Sequence, residues 1–116
     1  MKRTGPTNPL LKELIRDLNR YKTKLWKDVA KRLERPSRRR ARVNVAKFQR
    51  YCKDGEKIVV PGKVLGYGAI MKKVEVGAFQ FSRDAKRKIE EAGGKVLELK
   101  EFAEKYKDGK GIRIME

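Results

Sequence analysis

Five arginines fall between positions 35 and 42, as Arg35, Arg38, Arg39, Arg40 and Arg42, broken only by Pro36, Ser37 and Ala41. A guanidinium stays charged at any physiological pH, and its planar fork matches phosphate oxygens with two parallel hydrogen bonds. No large apolar side chain stands among them to anchor the segment, which reads as an exposed basic loop aimed at a polyanion. The plainer structural reading is a solubilising loop. Lys2 and Arg3 form a basic N-terminal arm of the kind that orders on RNA, against the plain alternative of a frayed terminus. Lys22 and Lys24, and then Lys63, Lys72 and Lys73 around a glycine-rich stretch, complete the candidate RNA-contact set.

Other chemistries find little support. The chain has no histidine and one cysteine, Cys52, so it lacks the commonest general base, the commonest zinc ligand, any Cys-rich metal site and any internal disulfide. Gly66-Tyr67-Gly68 is not followed by the third glycine of a dinucleotide fingerprint, and no GxxxxGK[ST] loop is present. Glycines there let the backbone approach RNA, and Tyr67 is a candidate stacking residue, although packing on its own loop is the commoner fate of such a tyrosine. Glu90 and Glu91 lie beside Lys86, Arg87 and Lys88 on a helical face expected to be solvated, a poor start for two-metal nuclease chemistry. No catalytic residue, metal site, cofactor or small-molecule substrate is therefore expected. The longest aliphatic run, Ile58-Val59-Val60, is far below the roughly 20 apolar residues of a membrane-spanning helix. A cleaved secretion signal is not supported, because no apolar region follows the basic start.

The charge balance names the class of partner. Within 116 residues, 32 Lys+Arg against 15 Asp+Glu leave a net +17. Residues 1–40 carry +10 of it and residues 41–116 carry +7. An excess of this size repels itself unless a polyanion relieves it, and nucleic acid is favoured over a membrane surface. Abundant Lys, Arg and Glu with few amides is also a composition typical of hyperthermophile proteins.

The apolar spacing sets out the elements that must position these cations. Asn8-Pro9 reads as a helix start, and Leu10, Leu11, Leu14, Ile15 and Leu18 form the stripe of a first helix to about Lys22. Leu25, Trp26, Val29, Ala30 and Leu33 form a second stripe, ended by Pro36. From Val43 a short helix capped by Asn44 and carrying Val45, Phe48 and Cys52 leads to a strand over Lys57 to Val60. Pro61-Gly62 reads as the centre of a type II turn, with extended chain resuming at Lys63. Val74, Val76 and Ala78 alternate as a strand. Ser82 caps a helix bearing Ala85, Ile89 and Ala92, stopped by Gly93-Gly94. Lys95 to Glu98 is a strand, Leu99, Phe102, Ala103 and Tyr106 make a helix, and Ile112 with Ile114 a last strand. Trp26 and Phe48 belong to the core by position. The expected fold is α/β to α+β, one structural domain divided into the basic arm (1–7), the helical pair with the arginine loop (8–41) and a small α/β core (42–116).

Several segments together resemble a known family: Asn8-Pro9-Leu10, Arg42-Val43-Asn44-Val45, Val59-Val60-Pro61-Gly62-Lys63-Val64-Leu65-Gly66, Phe81-Ser82 with Ala85, Lys88-Ile89, Ala92-Gly93-Gly94, and Gly111-Ile112-Arg113-Ile114. The chain is similar over nearly its whole length to the archaeal and eukaryotic ribosomal protein L-eighteen-e. That resemblance implies a fold shared with bacterial ribosomal protein L-fifteen, an irregular superhelix of short strand and helix units behind the helical pair. It also implies a non-catalytic, cofactor-free constituent of the cytoplasmic large ribosomal subunit, bound to large-subunit ribosomal RNA and neighbouring large-subunit proteins. The competing reading is an architectural DNA-binding protein of an archaeal chromosome. Composition alone permits it, but minor-groove wedges and a symmetric dimer surface are not evident.

Overall fold

The computed structural model describes residues 9–116, so Lys2 and Arg3 lie outside the described residues. Elements follow in the order α1 (Pro9–Arg20), α2 (Lys24–Leu33), a 3-10 turn (Ser37–Arg39), β1 (Ala41–Asn44), α3 (Val45–Tyr51), β2 (Glu56–Leu65), β3 (Val74–Phe81), α4 (Arg83–Glu91), β4 (Lys95–Glu98), α5 (Leu99–Lys105) and β5 (Ile112–Ile114). All ladder pairs are parallel. The mixed α/β class and the N-terminal helical pair are as the apolar spacing indicates.

Strand β2 is the axis of the sheet. A central parallel strand is covered on both faces and so reads as an unbroken apolar run rather than an alternating one, which is what Ile58-Val59-Val60 supplies. Ile58 and Val60 pack under α3 and α4, with Phe48, Val64, Val76 and Ile89. Val59 faces α1, α2 and α5, with Leu18, Trp26, Val29 and Phe102. Trp26 and Phe102 are fully buried edge to face, 6.1 Å between centroids, and the indole N–H donates to the Tyr106 carbonyl at 2.8 Å. That bond satisfies the ring's one polar group, as burial of an indole requires.

The Pro61-Gly62 turn expected from local residue preferences does not form. Glu56–Leu65 is one strand with an irregularity between Val60 and Lys63. The reason lies in the neighbours: β5 pairs with Lys57 to Val59, and β1 takes over the same edge of β2 from Gly62 to Leu65. Pro61, which has no N–H to give, stands where that edge changes partner. Gly62 is required there, because a Cβ would sit 2.1 Å from the Ala41 carbonyl oxygen. Val43 and Asn44 are likewise not the start of a helix but the end of β1. Asn44 occupies the position before α3, yet its side chain makes no capping bond. By contrast the Ser82 hydroxyl accepts the Ala85 N–H at 3.1 Å, as expected for the start of α4.

Parallel neighbours usually need a crossover of a dozen residues or more, whereas β2 and β3 are joined by residues 66–73 alone. The short return is pinned at several points. The half-buried Lys88 ammonium donates to the carbonyls of Gly66 (2.7 Å) and Gly68 (2.6 Å), the Ala46 N–H to Tyr67 (3.2 Å), and the Met71 N–H to the Gln49 side chain (2.8 Å). Ile70 is buried beneath. Lys88 is therefore a structural residue rather than one more cation on a solvated face.

Candidate nucleic-acid interface

The arginine segment bridges the end of α2 and the start of β1, and its five members do different things. Arg40 is half-buried, and its Nε donates to the carbonyls of Leu33 (3.2 Å) and Arg35 (3.1 Å), closing the C-terminal end of α2. Terminal helix carbonyls have no partner within the helix and favour a cation. Burial pulls the Arg40 guanidinium below its ordinary pKa, from a value so high that it stays charged. Arg35 pairs with the Glu116 carboxylate at 3.0 Å, which Arg32 also holds at 2.8 Å. Hydrogen bonds from Arg32 to Asp28 and then to Glu116 keep its pKa raised. The segment is thus not the free loop its composition suggests. Arg35 and Arg40 fasten it, while Arg38 and Arg39 are exposed and form no ion pair among the described residues.

Arg42 follows on β1. It stands in register with Lys63 on β2, and Lys63 with Gln80 on β3, all three exposed. This row edges a cleft of about 320 Å³ lined by Arg40, Ala41, Arg42, Gly62, Lys63, Leu65, Phe79 and Gln80, with no carboxylate in the lining. Neighbouring strands lie about 4.8 Å apart, so the two cations rise from adjoining positions with no carboxylate in the cleft lining.

The remaining candidates lie elsewhere. Lys22 and Lys24 are exposed at the far end of α2, Lys22 with a left-handed backbone (φ 57°). Lys72 and Lys73 precede β3 at the opposite end of the sheet from Lys63, since Val74 is level with Glu56. The Lys72 ammonium donates to the Cys52 carbonyl at 2.7 Å, and the Lys73 aliphatic chain lies over Gly93. Tyr67 does not pack on its own loop but is 78% exposed. The sequence reasoning passed over Gln80, whose only signal is its place beside Lys63 in the ladder. Among the described residues no group of three or more His, Cys, Asp or Glu could hold a metal ion, and no helix is long and apolar enough to cross a membrane.

A surface of arginines and lysines without carboxylates fits many polyanions, and the match that decides between them is one of family. The model of "Ribosomal protein 60S L18 and 50S L18e" matches residues 1–116. The chain belongs to the L18 and L18e family of ribosomal proteins. Among curated relatives, the large ribosomal subunit protein eL18 of Sulfurisphaera tokodaii is 47% identical over 113 residues, covering 97% of this chain and 96% of the relative. The proteins of the same name from Methanopyrus kandleri (48% identical, 97% and 96% covered) and Methanococcus maripaludis (43% identical, 99% of both chains) match comparably. An L18e chain that is covered end to end by such relatives leaves the chromosomal DNA-binding reading without support.

Proposed function

We propose that this L18e chain is a structural, non-catalytic constituent of the cytoplasmic large ribosomal subunit, where it stabilises folded large-subunit rRNA through phosphate contacts. Arg38 and Arg39 on the 3-10 turn, with Arg42 and Lys63 on adjoining strands, are the contact residues, and Arg35 and Arg40 hold that surface in place. Neighbouring large-subunit proteins are its other partners. The observation that carries the proposal is the carboxylate-free row of exposed Arg42 and Lys63 at the arginine turn, in a chain of this family. Such contacts neutralise backbone charge and orient the protein without reading sequence. The same arrangement explains why the loop is fastened at its base. Cations held in position lose less freedom on binding than cations on a floppy segment.

Sucrose-gradient sedimentation of a native lysate, probed for this chain, tests the reading. Co-sedimentation with the large subunit at moderate salt is expected. Its recovery with chromosomal DNA, or only in the free protein fraction, would overturn the proposal.

A further inference from the structure

The cleft leaves unexplained the cations at the other end of α2. Lys24, Lys27 and Lys31 are exposed along the outer side of the helix, opposite the buried Trp26, Val29, Ala30 and Leu33. The turn after α5 is brought against the start of α2 by the Thr23 hydroxyl, which donates to the Lys107 carbonyl at 2.7 Å. Gly109 packs on Leu25 and Thr23. Exposed Lys107 and Lys110 thereby join exposed Lys22 and Lys24, although they are more than 80 residues apart in the chain.

Other helical surfaces mix paired cations with single exposed ones such as Lys12, Arg16, Lys86 and Lys100, whereas here two distant segments gather five lysines at one end of α2. Arg20 on α1 pairs with Asp17, Arg87 on α4 with Asp84 and Glu91, and Lys105 on α5 with Glu75. Lys22, Lys24, Lys27, Lys107 and Lys110 have no ion-pair partner among the described residues. Of the nearby carboxylates Asp28 is paired with Arg32, and Asp108, which accepts the Lys110 backbone N–H, together with Glu104 near Tyr21 still leaves the five lysines in excess. Charges left open in this way on a folded surface are relieved by an external polyanion.

The position of the cluster separates it from the cleft. The turn leads directly into β5, whose Ile112 is level with Lys57, while the cleft lies at Lys63 on the same strand. Six residues of strand set the two levels roughly 20 Å apart along β2.

We propose that the turn end of α2, carrying Lys22, Lys24, Lys27, Lys107 and Lys110, is a second phosphate-binding surface that takes an RNA segment separate from the one in the cleft. The protein then ties two RNA segments together across its sheet. This rests on the ribosomal reading above, and the test separates the two.

Directed hydroxyl-radical probing uses the protein within the large subunit. Iron-EDTA is tethered at Lys27→Cys or Lys107→Cys for the turn end, and at Lys63→Cys for the cleft. Cys52 is 2% exposed and stays unlabelled in the native protein. Each variant is first checked for unchanged thermal unfolding. The expected result is rRNA cleavage from both ends, with Lys27→Cys and Lys107→Cys agreeing with each other and marking a segment distinct from that marked by Lys63→Cys. Cleavage from all three tethers within one helical turn of the same duplex would overturn the second surface, because one RNA helix would then run along α2. Cleavage from Lys63→Cys alone would also overturn it and leave the cleft standing. No cleavage from any tether would overturn the ribosomal reading together with the inference.

Discussion

Replacing Arg40 should damage the fold, and replacing Arg38 and Arg39 should damage binding. Arg40 is the half-buried member of the segment, with its Nε against two carbonyls of the α2 terminus. A hydrogen bond from a charged donor contributes roughly 1.5–3 kcal/mol, and a cation at a helix C-terminus adds about 0.3–1 kcal/mol. The two acceptors share one donor, so these figures do not double. Arg40→Ala is expected to lower stability by about 2–3 kcal/mol, and Tm by about 10 °C for a domain of this size. Arg38→Ala with Arg39→Ala removes exposed, unpaired groups, and should leave stability within about 0.5 kcal/mol. Binding to duplex RNA, measured by fluorescence anisotropy across a salt series, separates the roles further. Each phosphate contact contributes about 0.9 to the slope of log K against log salt. The double variant should lower the slope by about 2, and Arg40→Ala at a temperature where it is folded should leave it unchanged. If Arg40→Ala lowers the slope by about 1 with Tm preserved, Arg40 is a phosphate ligand and the division of labour is wrong.

Gly62→Ala should destabilise the protein by more than 2 kcal/mol in denaturant unfolding, because the added methyl meets the Ala41 carbonyl of a paired strand, which cannot move aside. Cys52 packs its sulfur 3.4 Å from that of Met115, and burial pushes its thiol pKa up; it should resist thiol reagents in the native state, and Cys52→Ala should cost about 1 kcal/mol without altering RNA affinity. Lys88→Met should destabilise through the 66–73 crossover, whereas Lys86→Met on the exposed side of α4 should be neutral in the same melt. At Glu75, burial alone would raise the carboxyl pKa, but hydrogen bonds from Lys105 and Tyr106 prevail and hold it below the ordinary 4.5. A depressed carboxylate contributes stability that is fully present above its unfolded value and lost as pH falls through the folded one. Glu75→Gln should therefore flatten the decline in Tm below about pH 4.5 relative to wild type, and an unchanged acid limb would refute the assignment.

Much of this architecture was legible in the sequence because it is locally encoded. The stripes of α1, α2 and α5, the Ser82 cap and the left-handed Gly93 follow from spacing and residue type. What was not legible depends on partners distant in the chain. Ala41–Asn44 is too short and polar to announce a strand, and is one because β2 offers it an edge. Pro61-Gly62 has the residues of a turn, yet the sheet on either side keeps it extended. Among the arginines, composition identified the segment, but only the tertiary contacts separate Arg35, tied to Glu116, from Arg38 and Arg39. The gathering of Lys22 and Lys24 with Lys107 and Lys110 likewise rests on a hydrogen bond spanning 84 positions.

The central claim is that Arg38, Arg39, Arg42 and Lys63 hold this chain on the rRNA of the large subunit. It is tested most directly by washing purified large subunits through a rising salt series and measuring release of wild type against the variant with all four residues changed to Ser. The variant is expected to melt like wild type when free, yet to leave the subunit at distinctly lower salt, because up to four phosphate contacts are gone. Release of both proteins at the same salt, with equal stability in solution, would contradict the claim and place the RNA on another face.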